Sequence, residues 1–282
     1  MSMNKDNNQI MANINAYKMD GLGNDFVIID RRENSINLTK KRIIELGSRT
    51  SIGFDQIIFI EKEKENSYPI IIFNSDGGEV SACGNGARCV AYLLGENLNT
   101  REIKLKTSNR ILNAKIVEDF YVELEMGKPL LNFEDIPLSK KVDPGNINLN
   151  INNKKLTGGF CVNVGNPHII FFVKDCFDYD LKVIGPKIEN HDLFPEKTNV
   201  TFAQVIDKNN ISVNVWERGA GLTKACGTAA CATAIAAFKN KFIDNKVDIK
   251  FSEGVLNIEI DKSNNIFMTG PVSDIKNIKI NI

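Results

Sequence analysis

An internal repeat constrains this chain more than any other feature. Around Cys83 it reads Phe73-Asn74-Ser75-Asp76-Gly77-Gly78-Glu79-Val80-Ser81-Ala82-Cys83-Gly84-Asn85. Around Cys226 it reads Trp216-Glu217-Arg218-Gly219-Ala220-Gly221-Leu222-Thr223-Lys224-Ala225-Cys226-Gly227-Thr228. The two stretches align without a gap at an offset of 143, each with an aromatic ten residues and a glycine five residues before the cysteine. Three more anchors keep the same order. Gly23-Asn24-Asp25-Phe26 matches Gly165-Asn166-Pro167-His168 at an offset of 142. Phe54-Asp55-Gln56-Ile57-Ile58 is set against Phe202-Ala203-Gln204-Val205-Ile206, and Met126-Gly127-Lys128-Pro129 against Met268-Thr269-Gly270-Pro271. A chain written twice reads as two similar units.

Each half reads as α+β. Val27–Asp30, Ile57–Ile60, Ile70–Phe73, Ile103–Leu105 and Val122–Glu125 are β-branched or alternating runs bounded by turn residues, which predicts strands. Ala87–Leu94 and Ala229–Phe238 follow directly on a Cys-Gly-x turn and predict one helix per half. A weaker helix is expected through Leu38–Ser48, with Asn37 as its candidate N-cap. Residues 131–156, rich in Asn, Lys and Pro, read as a connection. The expected domains are 14–130 and 131–272, with a small-molecule site in the cleft between them.

Composition narrows the function. The 282 residues carry 35 Lys plus Arg and 35 Asp plus Glu, so no basic excess points to nucleic acid or an anionic membrane. Met1 to Asn15 is polar and reads as a flexible leader, not an export signal. No apolar run approaches membrane length, which leads us to expect a soluble, cytoplasmic protein. Of six cysteines none forms a Cys-x-x-Cys pair, and the histidines are His168 and His191 alone. Structural zinc and a disulfide framework are therefore disfavoured.

Cys83 and Cys226 each precede a helix start, where unpaired N–H groups and the dipole bind a carboxylate and lower a thiol pKa. Two such thiols facing one ligand suit inversion of an amino-acid α-carbon, one removing a proton while the other delivers one to the opposite face. The backbone amides of Gly84, Asn85, Gly227 and Thr228 would then hold the carboxylate and stabilise its enolate-like charge. No pyridoxal or metal motif competes, so no cofactor is expected. Cys89, Cys161, Cys176 and Cys231 read as packing residues, and His191 as a solvent-facing one. The place of His168 in the repeat makes it a candidate tuning group for a thiolate.

From Tyr17 to about Pro271 the chain resembles the diaminopimelate epimerase family. The resemblance rests on Lys18-Met19-x-Gly21-x-Gly23-Asn24-Asp25-Phe26, Asp55-Gln56, Asn74-x-Asp76-Gly77 and Ala82-Cys83-Gly84-Asn85-Gly86-Ala87-Arg88-Cys89. In the second half it rests on Gly165-Asn166-Pro167-His168, Thr198-Asn199, Trp216-Glu217-Arg218-Gly219-x-Gly221 and Ala225-Cys226-Gly227-Thr228. It implies two pseudo-symmetric domains, each a mixed, mainly antiparallel sheet around a central helix, with the final strand near 273–282 crossing to the first. It implies interconversion of LL- and meso-diaminopimelate, on the route to lysine, by Cys83 and Cys226 without a cofactor. Asn24, Gln56, Asn74, Asn166, Asn199, Glu217 and Arg218 would contact substrate beside Gly84, Asn85, Gly227 and Thr228. His168 and Glu217 would set the thiol pKa values. Arg218 supplies the guanidinium that a second amino-acid head requires. Many family members have Gly at Ala229 and an acidic residue at Leu222. The reading admits a homodimer.

Three rivals remain at this level. A proline or hydroxyproline racemase would carry His at Asn85 and lack the Glu217-Arg218 pair. A cysteine hydrolase with His168 as base leaves the duplication unexplained. A silent binding protein leaves both intact cysteines unexplained.

Overall fold

The computed structural model describes residues 13–81, 83–108, 110–151 and 154–281. The leader lies outside these residues up to position 12, and from Asn13 the chain is already strand. The first half runs β1 (Asn13–Gly21), β2 (Asn24–Asp30), α1 (Lys40–Gly47), β3 (Gln56–Ile60), β4 (Tyr68–Asn74) and β5 (Glu79–Val80). It continues with α2 (Gly84–Leu98), β6 (Glu102–Lys106), β7 (Ile111–Glu118) and β8 (Tyr121–Gly127). The second half begins with β9 (Ile147–Ile151), β10 (Lys154–Asn163), β11 (Pro167–Phe172), α3 (Leu181–Glu189), β12 (Asn199–Asp207), β13 (Asn210–Glu217) and β14 (Gly221–Thr223). It ends with α4 (Gly227–Lys239), β15 (Lys246–Phe251), β16 (Gly254–Ile260), β17 (Ile266–Pro271) and β18 (Lys276–Asn281).

Pairing is duplicated strand for strand. β1–β2, β3–β4 and β4–β5 are antiparallel with β2–β3 and β4–β6 parallel; β10–β11, β12–β13 and β13–β14 are antiparallel with β11–β12 and β13–β15 parallel. The halves join where β8 and β17 pair antiparallel. β9 extends the second half along β10, and β18 returns to pair with β1 of the first.

Register also corrects one repeat anchor. Parallel β2–β3 sets Phe26 against Gln56, and parallel β11–β12 sets His168 against Asn199. Because Phe26 and His168 correspond, Gln56 corresponds to Asn199 and Asp55 to Thr198, not to Gln204 and Ala203. A Phe-x-Gln coincidence in an apolar strand had shifted that match.

Alternation along the central strands explains the layers. Phe26 and Ile28 pack in the large core around α2 and α4, while Val27 and Ile29 pack with Ile43 and Leu46 of α1. In the second half Ile170 joins the large core, while Ile169 and Phe171 pack with Leu181 and Ile188 of α3. Strands covered on both faces read as unbroken apolar runs, as these do. The inner helices are themselves enclosed: residues 85–95 of α2 and 229–237 of α4 are buried. Small residues let a helix sit inside a wrapped sheet, hence the alanines of α4.

Both inner helices start earlier than their periodicity indicates, at Gly84 and Gly227, because the cysteines are themselves the N-caps. The N-cap of α1 is Thr39, whose Oγ1 accepts the Arg42 N–H at 3.2 Å, and not Asn37. The segment 131–156 is more than a connection, since it holds β9 and the start of β10. Helix α3 is absent from the sequence reading because Gly185 and Pro186 interrupt its helical signal. His191 is half-buried and its Nδ1 accepts the Leu193 N–H at 3.1 Å, so it braces a turn instead of facing solvent.

Gly185 packs on the indole of Trp216, where an added Cβ would stand 2.6 Å from Cγ and Cδ2. Alanine gains about 1 kcal/mol in helix propensity over glycine, but overpacking against a rigid ring costs about 1–3 kcal/mol. Gly185→Ala is therefore expected to lower stability. Urea unfolding decides the sign, and a raised midpoint would show that propensity wins.

Candidate active site

Each inner helix opens on a cysteine in nearly the same extended backbone conformation: φ −146° and ψ 114° at Cys83, φ −143° and ψ 114° at Cys226. An extended N-cap turns its side chain back over the first helical turn. Cys83 Sγ accepts the Gly86 N–H at 3.4 Å. Cys226 Sγ lies 3.5 Å from Thr228 Oγ1.

The two helix tips meet. A Cβ built on Gly227 would lie only 3.9 Å from the Gly84 Cα and 2.9 Å from Met268 Sδ. A Cβ built on Gly84 would lie 3.1 Å from Met268 Cε. Met268 of β17 thus fills the space behind both tips, and glycine at both first helical positions allows that approach.

The other polar candidates sit at or beside strand ends. The β3–β4 register sets Gln56 opposite Asn74, and Gln56 Nε2 donates to Asn74 Oδ1 at 2.9 Å. In the second half Asn199 opens β12 and Glu217 closes β13, the repeat counterparts of Gln56 and Asn74. Asn199 Oδ1 accepts the Arg218 N–H at 2.9 Å while its Nδ2 donates to the Pro167 carbonyl at 2.9 Å. Asn24 and Asn166 precede or open β2 and β11. Asn24 Oδ1 accepts from Cys83 Sγ at 3.8 Å, and Asn166 Oδ1 lies 2.8 Å from His168 Nε2. Arg218 is exposed, with Nη1 donating to the Glu196 carbonyl at 2.9 Å.

The family model described as diaminopimelate epimerase matches residues 16–131 and again 160–275. The diaminopimelate epimerase of Pelagibacter ubique is 56% identical over 272 residues, covering 95% of this chain and 99% of its own length. That of Erythrobacter litoralis is 42% identical, covering 93% and 95%. The chain belongs to the diaminopimelate epimerase family. Solved structures extend the likeness at the level of fold alone. A predicted epimerase from Pseudomonas aeruginosa superposes with a TM-score of 0.65 at 14% identity, covering 95% of this chain and 98% of that one. A hydroxyproline epimerase from Agrobacterium vitis, solved with trans-4-hydroxy-L-proline bound, gives 0.64 at 10% identity, covering 96% and 93%.

Electrostatics in this family member depart from the expectation of acidic thiols. Burial pushes Cys83 up to about 11, with the Glu217 carboxylate adding to the rise and the Gly86 N–H and Arg88 opposing it. Cys226 is pushed well above the ordinary thiol value, first by burial and then by Glu217, against the opposing Thr228 hydroxyl. A helix start does stabilise a thiolate, but loss of water around the sulfur outweighs a few N–H dipoles. Burial also raises Glu217, whose carboxyl bonds to Thr223 and Cys226.

His168 is fully buried and pushed down to about 3, first by burial and then by the Arg218 charge. It is neutral at neutral pH, and its Nδ1 has no hydrogen-bond partner among the described residues. Its bond goes to Asn166, and among the described residues none links it to a thiol.

Three further residues of the repeat and family motifs join these groups: Arg88, Met268 and Asp55. Arg88 is fully buried, donating through Nη2 to Asn85 Oδ1 at 3.0 Å and lying 3.9 Å from Met268 Sδ. A lone charge within the run Ala87–Leu94 was the available signal for it. Met268 was visible as the repeat partner of Met126. Asp55 accepts the Asn24 Nδ2 at 2.8 Å and the Asp25 N–H at 3.0 Å. Of the two departures from the family pattern, Ala229 is buried in the first turn of α4 and Leu222 is exposed.

His168 makes stability depend on pH with a definite sign. Its folded pKa lies below the unfolded value near 6.5, so below that value the unfolded chain binds a proton that the folded one refuses. This contribution is complete above about pH 6.5 and is lost as pH falls toward the folded value, at about 1.4 kcal/mol per pH unit at full slope. Denaturant midpoints between pH 7 and 5 should fall for the wild type, and less steeply for His168→Gln. Parallel curves would show that His168 titrates normally.

Proposed function

We propose that this chain inverts one α-carbon of diaminopimelate, interconverting the LL and meso forms, with Cys83 and Cys226 as the two proton carriers. The observation that carries the reading is the pair of N-capping cysteines of matching backbone geometry on two helix tips that meet against Met268. The reaction needs one group on each face of the α-carbon, one arriving as thiolate and one as thiol. Curated relatives that match nearly the whole chain are diaminopimelate epimerases, which selects the substrate.

In this reading the reacting carboxylate lies between the helix starts. The amides of Gly84, Asn85, Gly227 and Thr228 take up the negative charge that grows as the α-proton leaves. A buried thiol is a weak acid, so the thiolate forms where the substrate's ammonium and the helix N–H groups compensate its charge. Glu217 shares a hydrogen bond with Cys226 and raises its pKa, keeping that sulfur a strong base once ionised. Asn24, Gln56, Asn74, Asn166, Asn199 and Arg218 hold the polar groups of substrate, Arg218 taking the distal carboxylate. His168 acts through Asn166. Diaminopimelate is the expected partner, and a homodimer in the cytoplasm the expected setting. Among the described residues no helix is long and apolar enough to cross a membrane.

The test is α-deuterium uptake from deuterated water into LL-diaminopimelate, with no pyridoxal phosphate or metal added. We expect uptake at both epimers, and about 10²–10⁴-fold slower epimerisation in Cys83→Ser or Cys226→Ser, because a hydroxyl is a far poorer base than a thiolate. A Cys83 variant running at the wild-type rate would refute the two-thiol assignment.

Arg218→Lys keeps the charge but loses the planar fork that grips a carboxylate through two parallel bonds. It should raise KM for diaminopimelate at least tenfold while leaving the thermal midpoint unchanged. Equal steady-state constants would make Arg218 a surface residue.

A further inference from the structure

We propose that Asp55 is a positioning residue that locks the Asn24 carboxamide in one orientation, so that its oxygen accepts the Cys83 thiol proton and keeps that thiol protonated while the cleft is empty. The inference rests on the reading of Cys83 as a proton carrier and adds what governs its resting state.

An ionised carboxylate only accepts, whereas a carboxamide has a donating end and an accepting end. Asp55 Oδ2 lies 2.8 Å from Asn24 Nδ2 and also takes the Asp25 N–H at 3.0 Å. Arg49 ion-pairs at the surface to the other oxygen of Asp55 and to Asp25, leaving Oδ2 to Asn24 and the Asp25 N–H. The amino end of Asn24 therefore faces Asp55, and its oxygen faces Cys83. That oxygen offers no proton, so the 3.8 Å contact is a bond only if the sulfur carries one. The Gly86 N–H reaches the same sulfur from the helix side at 3.4 Å, a contact a thiol accepts as well as a thiolate.

The copy lacks the device. Asp55 corresponds to Thr198, which is buried and turns its hydroxyl to the Asn199 carbonyl at 3.2 Å. Asn166, the counterpart of Asn24, meets His168 Nε2, and Cys226 meets the Thr228 hydroxyl, which can donate or accept. The two thiols thus sit in unlike surroundings on a duplicated frame. Besides Asp55 behind Asn24, the groups facing Cys83 are Glu217 from β13 and Arg88 and Cys89 from its own helix. Of these, only Asp55 dictates which end of an amide the sulfur meets. When a substrate ammonium takes the Asn24 oxygen, the thiol loses its acceptor and is free to ionise.

Asp55→Asn tests the lock, because an asparagine there can donate to the Asn24 oxygen and let its amino end turn to the sulfur. The readout is iodoacetamide labelling of Cys83 and Cys226, followed peptide by peptide from pH 7 to 10 in the empty enzyme, beside the pH profile of kcat/KM. We expect Cys83 labelling at pH 8 to rise roughly tenfold, the change that one unit of thiol acidity makes well below its pKa. Cys226 should label as in the wild type, and the acid limb of kcat/KM should move to lower pH. Arg49→Gln leaves Asp55 in place and should leave Cys83 labelling within about twofold of wild type. Equal acceleration at both cysteines, no change at Cys83, or the same change in Arg49→Gln overturns the proposal. A wild-type measurement serves if Asp55→Asn does not fold. With asparagine-labelled protein, the Asn24 side-chain NH₂ should show proton–proton contacts toward Asp55 and the Asp25 N–H. Contacts to the Cys83 β-protons instead overturn it. Cysteine labelling and the Asn24 proton–proton contacts require no turnover, so failure there is distinct from failure of the epimerase reading.

Discussion

The meeting of two helix N-termini against Met268 is the contact on which the rest of this molecule depends. It requires glycine at both Gly84 and Gly227, since a Cβ at either would press on the Met268 side chain. It requires β17, because Met268 is held there between Ile258 of β16 and Leu124 of β8 by antiparallel register. The strand pair that joins the halves is therefore the pair that sets the distance between their helices. A methionine suits this place, being unbranched and able to fill an irregular gap.

Enclosing the tips has an electrostatic consequence that local sequence does not carry. A cysteine at a helix start is expected to be acidic, yet both thiols here are weak acids because the wrapped sheet removes their water. The same burial neutralises His168 and lowers the pKa of Arg88, a guanidinium whose Nε finds no hydrogen bond among the described residues. Leaving such a cation incompletely paired costs several kcal/mol. At Cys83 the Arg88 charge opposes that of Glu217, so sheet and helix pull the thiol in opposite directions.

What the sequence disclosed and what it hid follow from the range of the interactions involved. The two cysteines were legible because an N-cap is a local pattern, and writing it twice removed the ambiguity of one copy. The central helices and strands were legible because Ala-rich and β-branched runs are strong local signals. Helix α3 was not, since Gly185 and Pro186 weaken it locally and packing on Trp216 sustains it. The match of Gln56 to Gln204 failed for the same reason in reverse: a local likeness overrode a register fixed only by pairing between strands. The thiol and histidine pKa values were illegible because desolvation depends on the whole fold.

Once register is corrected, the duplicated site shows where its copies part. Asn24 answers to Asn166, Gln56 to Asn199, Asn74 to Glu217 and Cys83 to Cys226, so like positions carry the candidate groups in both halves. The backbone frame is nearly the same in both, as the matching cysteine dihedrals show. The side chains are not: an amide in one half is a carboxylate in the other, and Asp55 is replaced by Thr198. A symmetric pair of thiols serves the symmetric part of an inversion, the two faces of one carbon. A substrate with one reacting and one spectator head is not symmetric about that carbon, so its two flanks require different partners. In the proposed reading the frame supplies the first property by repetition, and substitution at Asn74/Glu217 and Asp55/Thr198 would supply the second without disturbing a strand.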